Sequence, residues 1–291
     1  MARPSARLSL EHLEDRALPS ASLLFDPVAG NLSILGDAVS STVRESLSRT
    51  GFVDVAVDDQ RHSGDPASAF FDPALAGATA ATLTGIRFDG SFLSTGGTVK
   101  FNGSADQALD SGGQAFANLV HQAANGTVTL SLTGNDLAVN GSFTNSIGIF
   151  DANTQAVTVN ALTTLAAGTR YLASSGNQSF ADLFINSGTL TLGIGGTFAV
   201  TGDYTQASGA TLEVVLGGTP ASGQFSQMSV GGTATLNGTL KVTLANGYTP
   251  TTGDTFQIMT YGARSGDFTT GPAGFTRNYD DVNGILTLVA N

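Results

Sequence analysis

The sequence predicts an all-β protein whose greater part is a right-handed parallel β-helix, or β-solenoid. Three observations predict it. Charged residues make up only 12% of the 291-residue chain, about half the usual share, whereas Gly, at 37 residues, is well above its usual share. Segments of like order recur from about residue 91 onward. Within them Thr or Ser alternates with Leu, Val or Phe, which gives each strand one apolar and one hydroxyl-bearing side. An apolar content of 41% is too high for a disordered chain and ample for a core. The competing architecture is an antiparallel β-sandwich, in which the six Asn-Gly pairs, at 102, 125, 140, 237, 246 and 283, would close hairpins. Repetition in fixed order favours the solenoid, where Asn and Gly turn the corners.

In chain order, residues 1–22 stand apart as a short helix or disordered tail. Leu10, Leu13 and Ala17 recur at helical spacing until Pro19 stops the pattern. Glu11, His12, Glu14, Asp15 and Arg16 interrupt any apolar run, so an ordinary secretory signal does not fit. Residues 23–90 form a small β-rich region or cap, with strands expected in NLSILGD, in GFVDVAVDD and around Ala81–Phe88. Residues 91–291 are the solenoid, with a C-terminal cap from about 253. Its copies begin at Gln114, Gln178 and Gly223. They align Phe116 with Phe180 and Phe225, and Leu119 with Leu183 and Met228. Copies of that length hold two or more turns of a smaller unit. A Gly-Thr-apolar-Thr-Leu motif, or close to it, occupies 126–130, 188–192 and 232–236.

Composition narrows the chemistry. A net charge of −11 with only two lysines, Lys100 and Lys241, argues against a nucleic-acid or anionic-lipid groove. Absence of Cys excludes disulfides, thiol catalysis and Cys-ligated metals. No apolar run is long enough for a membrane-spanning helix. Asp106, Asp110, Asp136, Asp151, Asp203, Asp254 and Asp267 mostly sit beside Gly or Asn, where they read as turn formers rather than a catalytic cluster. The histidines His12, His62 and His121 are scattered, without metal-ligand spacing. No cofactor is expected. Calcium is the one ion with suitable ligands, yet the Gly-Gly-x-Gly-x-Asp nonapeptide is absent, and GNDLAVNG and YDDVNG only echo it loosely. Tyr204, Tyr248, Tyr261 and Tyr279 are candidate exposed aromatics. The last three could form an interaction surface, or cap and staple the solenoid end.

The repeats GTVKFNGSADQAL, GTLTLGIGGTFAVTGDYTQASGATLEVVL and GDTFQIMTYGARSGDF resemble the β-solenoid regions of autotransporter-type bacterial surface proteins. That resemblance implies that Gly253, Asp254, Phe256, Ile258, Gly266 and Phe268 close the solenoid. No membrane barrel of long alternating strands follows, so the expectation is a free-standing solenoid or part of a larger protein, not a self-exporting autotransporter. RLSLEHLEDRALPSA is similar to the N-terminal signature of planctomycete-type surface proteins, carried here by Leu10, Glu11, Leu13, Glu14 and Arg16. It implies export or sorting. The expected function is therefore a secreted or cell-surface scaffold without enzymatic activity, in adhesion or envelope architecture. Its expected partners are an envelope polymer, a glycan or another surface protein. The alternative is a carbohydrate-binding or carbohydrate-cleaving β-helix.

Overall fold

A computed structural model describes residues 98–291 throughout. Ahead of them it describes the backbone of the strands Ala21–Asp26, Asn31–Gly36, Val43–Leu47, Val53–Val57, Gln60–Ser63 and Gly85–Gly90. The chain is all-β: parallel strands stack as a solenoid of about six turns, and the sandwich is not formed. Among the described residues there is no α-helix, only the 3-10 turn Pro220–Ser222. The signature residues Leu10, Glu11, Leu13, Glu14 and Arg16 lie outside the described residues.

Each coil contributes one strand to each of three faces. On the first face the inward register runs Leu130, Phe150, Tyr171, Leu190, Leu212, Leu240. On the second it runs Phe116, Val139, Val159, Phe180, Val200, Val230, Tyr261. On the third it runs Leu119, Phe143, Thr163, Phe184, Tyr204, Ala234, Arg264. Strand alternation drives this order, since every second residue points inward, while the alternate positions, rich in Thr and Ser but including Val120, Ile149 and Ile185, face outward. The inward residues form one continuous core. Inside it aromatic rings pack within a coil, with Phe143–Phe150 at 4.8 Å, and from coil to coil, with Phe150–Tyr171 at 5.1 Å and Phe180–Phe198 at 5.0 Å between centroids.

The first face begins upstream of residue 98. Gly85–Gly90 is parallel to Asn31–Gly36 on one side and to Gln107–Asp110 on the other. The expected strand around Ala81–Phe88 is therefore present but shifted toward the C-terminus. Asn31–Gly36 and Val53–Val57 fall within the other two expected strands.

The repeat alignment needs correcting. Phe116 and Phe180 do share a register column, with the coils of Val139 and Val159 between them. Phe225 does not belong to that column: it sits on an inserted loop, bridged to Leu216 and packed on Phe256. Leu119 stands opposite Phe143 on the third face, whereas Met228 stands opposite Phe198 on the second. The Gly-Thr motifs also serve different faces, because residues 188–192 enter the first face and 232–236 the third. A period of two suits any face equally, so sequence likeness does not reveal which face a strand joins.

Candidate interaction surface

Four polar devices hold the coils together, and together they account for most side chains that looked chemically promising. The first is a set of coil-to-coil clamps. Asp106, Asp136 and Asp203 each accept a backbone N–H from the following coil: Thr129 at 2.7 Å, Ala156 at 2.8 Å and Thr233 at 2.7 Å. Asn118 and Asn177 do the same for Ser142 and Thr197. Asp110 accepts from Gly112 N and Asn135 Nδ2, and Asp151 from Asn153 N and Ser174 Oγ. The remaining two, Asp254 and Asp267, receive Tyr248 and Arg277 in the cap. All seven acidic residues singled out from the sequence are thus engaged locally. Among the described residues no three His, Asp or Glu side chains converge.

The second device is an interior polar column at the corner between the third and first faces. His121, Asn145, Asn186 and Gln206 take inward positions there, interrupted by Leu165. Asn145 Nδ2 donates to Arg170 O at 2.9 Å, which turns its Oδ1 toward His121 Nδ1 at 2.9 Å. The His121 tautomer follows, with the proton on Nδ1. Burial lowers the His121 pKa to about 4, against a smaller upward pull from the Asn145 hydrogen bond. Gln206 Nε2 donates to Asn237 O and Thr239 O, and Tyr204 Oη donates to Gln206 Oε1 at 2.8 Å. Tyr204 is wholly buried, so the expectation of an exposed aromatic is overturned there. Its ring fills the inward column between Phe184 and Ala234.

The third device lies on the outer side of the first face. Glu213 receives Lys241 Nζ at 2.8 Å and Thr191 Oγ1 at 3.2 Å, and also bonds Thr243. Burial pulls this carboxyl upward, but the Lys241 ammonium and the two hydroxyls outweigh it and hold it below its ordinary range.

The fourth device closes the C-terminal end. The hairpin Phe275–Asp280 and Ile285–Ala290 packs antiparallel on Thr255–Thr260 and covers the second face. In the last coil the inward position of the third face carries Arg264, a charge that terminates the apolar column. Its guanidinium forks onto Asp281, Nε–Oδ1 2.9 Å and Nη2–Oδ2 2.6 Å, and lies 4.2 Å from the Tyr279 ring centroid. Tyr261 Oη donates to the same Asp281 at 2.8 Å, and Asp281 is held below the usual carboxylate range first by Arg264 and then by Tyr261. Of the three predicted tyrosines, Tyr261 is buried, whereas Tyr248 and Tyr279 are half-buried. Their hydroxyls go to Asp281, Asp254 and Asp267 respectively. Desolvation, followed by the Asp254 hydrogen bond, pushes the Tyr248 hydroxyl up to about 12. Phe256, Ile258 and Phe268 of the closing motif are buried. Gly266, at φ 72°, leaves no room for a side chain against Leu236 O.

Comparison with protein-family models, with curated proteins and with solved structures found no match.

One stretch of the described surface is left without a cover. The last strand of the first face, Thr239–Leu244, pairs with Thr211–Leu216 on one side and is touched on the other only at its start, by Thr270. Beside it runs a slot of about 320 Å³ between the strand and Gly271–Phe275, walled by Leu240, Val242, Leu244, Pro272 and Phe275. Leu244 is 46% exposed, one of four large apolar side chains so exposed among the described residues. Sequence reasoning missed this edge. A strand at the end of a stack has the same alternation as one in the middle.

Proposed function

We propose that this protein is a structural scaffold of the cell surface or extracellular space, a stiff rod that presents loops and outward Thr and Ser columns to an envelope polymer, a glycan or another surface protein. The observation that supports this reading best is the use of the polar side chains. The Asp and Asn residues tie one coil to the next, and the interior His, Asn, Gln and Tyr groups satisfy one another and the corner carbonyls. Such an arrangement favours persistence of shape over chemistry. The N-terminal signature supports export to the surface, and the solenoid supports the scaffold role. The test is fractionation of cells producing the native protein, with immunodetection in medium, envelope and cytoplasm. Recovery in the medium or envelope is the expected result. A soluble cytoplasmic pool as the main location would sink the surface reading.

A further inference from the structure

We infer that the uncovered edge Thr239–Leu244 is a self-association site, at which a second copy of this chain pairs its own edge antiparallel about a two-fold axis through Thr243. The backbone polarity carries the argument. Thr239 N and Ala245 N donate back into the solenoid, to Ala210 O and Leu216 O, whereas Leu240 N donates away from it, to Thr270 O. Alternation then points the N–H and C=O of Val242 and Leu244 away from the solenoid, and among the described residues nothing receives them. An antiparallel partner centred on Thr243 sets Val242 opposite Leu244 of the second copy and Leu244 opposite its Val242. Each such pair exchanges two hydrogen bonds. Four bonds form, the open N–H and C=O groups of Val242 and Leu244 are used in both copies, and the pairing stops short of the position that Thr270 holds.

The flanking chemistry fits a second copy of the same surface. Natural edges are commonly guarded by a free lysine. Here Lys241 is drawn onto Glu213 of the preceding coil, so two edges meet as neutral pairs rather than as like charges. The hairpin covers the second face and leaves this edge open. The exposed Leu244 and the half-buried Val242 and Phe275 give each copy an apolar slot for the other's Leu244. A two-fold contact of this kind is isologous and closes at the dimer. Because the paired segment is short, the association is weak, with a Kd on the order of 10–1000 µM. This inference depends on the edge geometry alone and stands whether or not the chain is a surface scaffold.

The test uses the full chain in light scattering coupled to size exclusion and in sedimentation equilibrium, up to about 1 mM. The expected result is a rise from the 29.5 kDa monomer to a dimer and no further. Val242→Pro removes one of the open N–H groups without touching the solenoid's own ladder, and should abolish the dimer while leaving the far-UV circular dichroism and the melting temperature unchanged. Leu244→Lys provides a second variant with an independent mechanism. The native chain has no cysteine, so Thr243→Cys introduces a unique thiol. A directly opposed, non-hydrogen-bonded antiparallel pair brings Cα atoms to about 4.5 Å, within disulfide range. Under mild oxidation Thr243→Cys should cross-link at least about tenfold faster than Thr235→Cys on the third face. A monomer at every concentration overturns the inference. So do growth beyond the dimer, a dimer indifferent to both edge variants, and cross-linking no faster than the control.

Discussion

Thr163 occupies the inward position between Phe143 and Phe184, fully buried, and its hydroxyl has no hydrogen-bond partner. A buried hydroxyl without a partner costs about 1–3 kcal/mol, so Thr163→Val, which keeps the shape, should raise the melting temperature, measurable by calorimetry. Two turns up the same face His121 illustrates the opposite case, a polar group whose partner is present but whose charge is excluded. Its pKa is about 4 in the folded chain against 6.5 free, so the unfolded chain takes up the proton first as pH falls. The stability it contributes is complete above pH 6.5 and is lost between 6.5 and 4, by up to roughly 3 kcal/mol. His121→Asn mimics Asn145 and Asn186 of the same column, and it should flatten the fall in melting temperature between pH 7.5 and pH 5. An unchanged slope would show that this histidine does not govern the acid limb.

Coils approach most closely at their corners, and there the choice of residue is dictated by the neighbouring coil rather than by the turn itself. A Cβ at Gly193 would lie 1.2 Å from Ser174 O of the coil before it, whereas a Cβ at Gly209 would meet nothing. Gly193→Ala should therefore cost roughly 3 kcal/mol or more by forcing two coils apart. Gly209→Ala should be neutral or stabilising by about 0.5 kcal/mol. Chemical denaturation of the pair gives the comparison, and similar losses in both would refute the close-approach argument. The clamps predict a parallel contrast. Asp203→Ala leaves Thr233 N without its acceptor and should cost about 1–2 kcal/mol, whereas Asp203→Asn retains an oxygen and should lose less. From the sequence these acidic residues read as turn formers. Their role as acceptors for the following coil was not legible, because the donor lies a whole coil away in the chain.

A stack in which each coil touches only its neighbours distributes stability locally. Phe180 packs on Phe184, Phe198 and Tyr171, so Phe180→Ala should remove about 3–5 kcal/mol from the middle of the rod. Amide hydrogen exchange should show protection falling across residues 157–206 while the hairpin at 275–290 keeps its own. Uniform loss from end to end would mean that the rod unfolds as one unit. The cap follows the same logic at the other extreme, since Arg264, Tyr261 and Asp281 close the apolar column with groups that bond one another.

The sequence by itself determined the class of this protein. Alternating Thr or Ser with Leu, Val and Phe makes two-sided strands, frequent Gly and Asn permit tight corners, and ordered repetition makes strands stack on copies of themselves. What only the tertiary structure decided is which strand belongs to which face, because a period of two carries no label for the face. Loops of different length, such as the one carrying Phe225, shift the count without changing the pattern. For the same reason only the stack shows that Tyr204 is core, that seven acidic residues are already occupied, and that Thr239–Leu244 is the strand left with an open side. Each of those facts depends on neighbours that the fold brings together, and for the coil-to-coil clamps these lie 20 to 30 residues away in the chain.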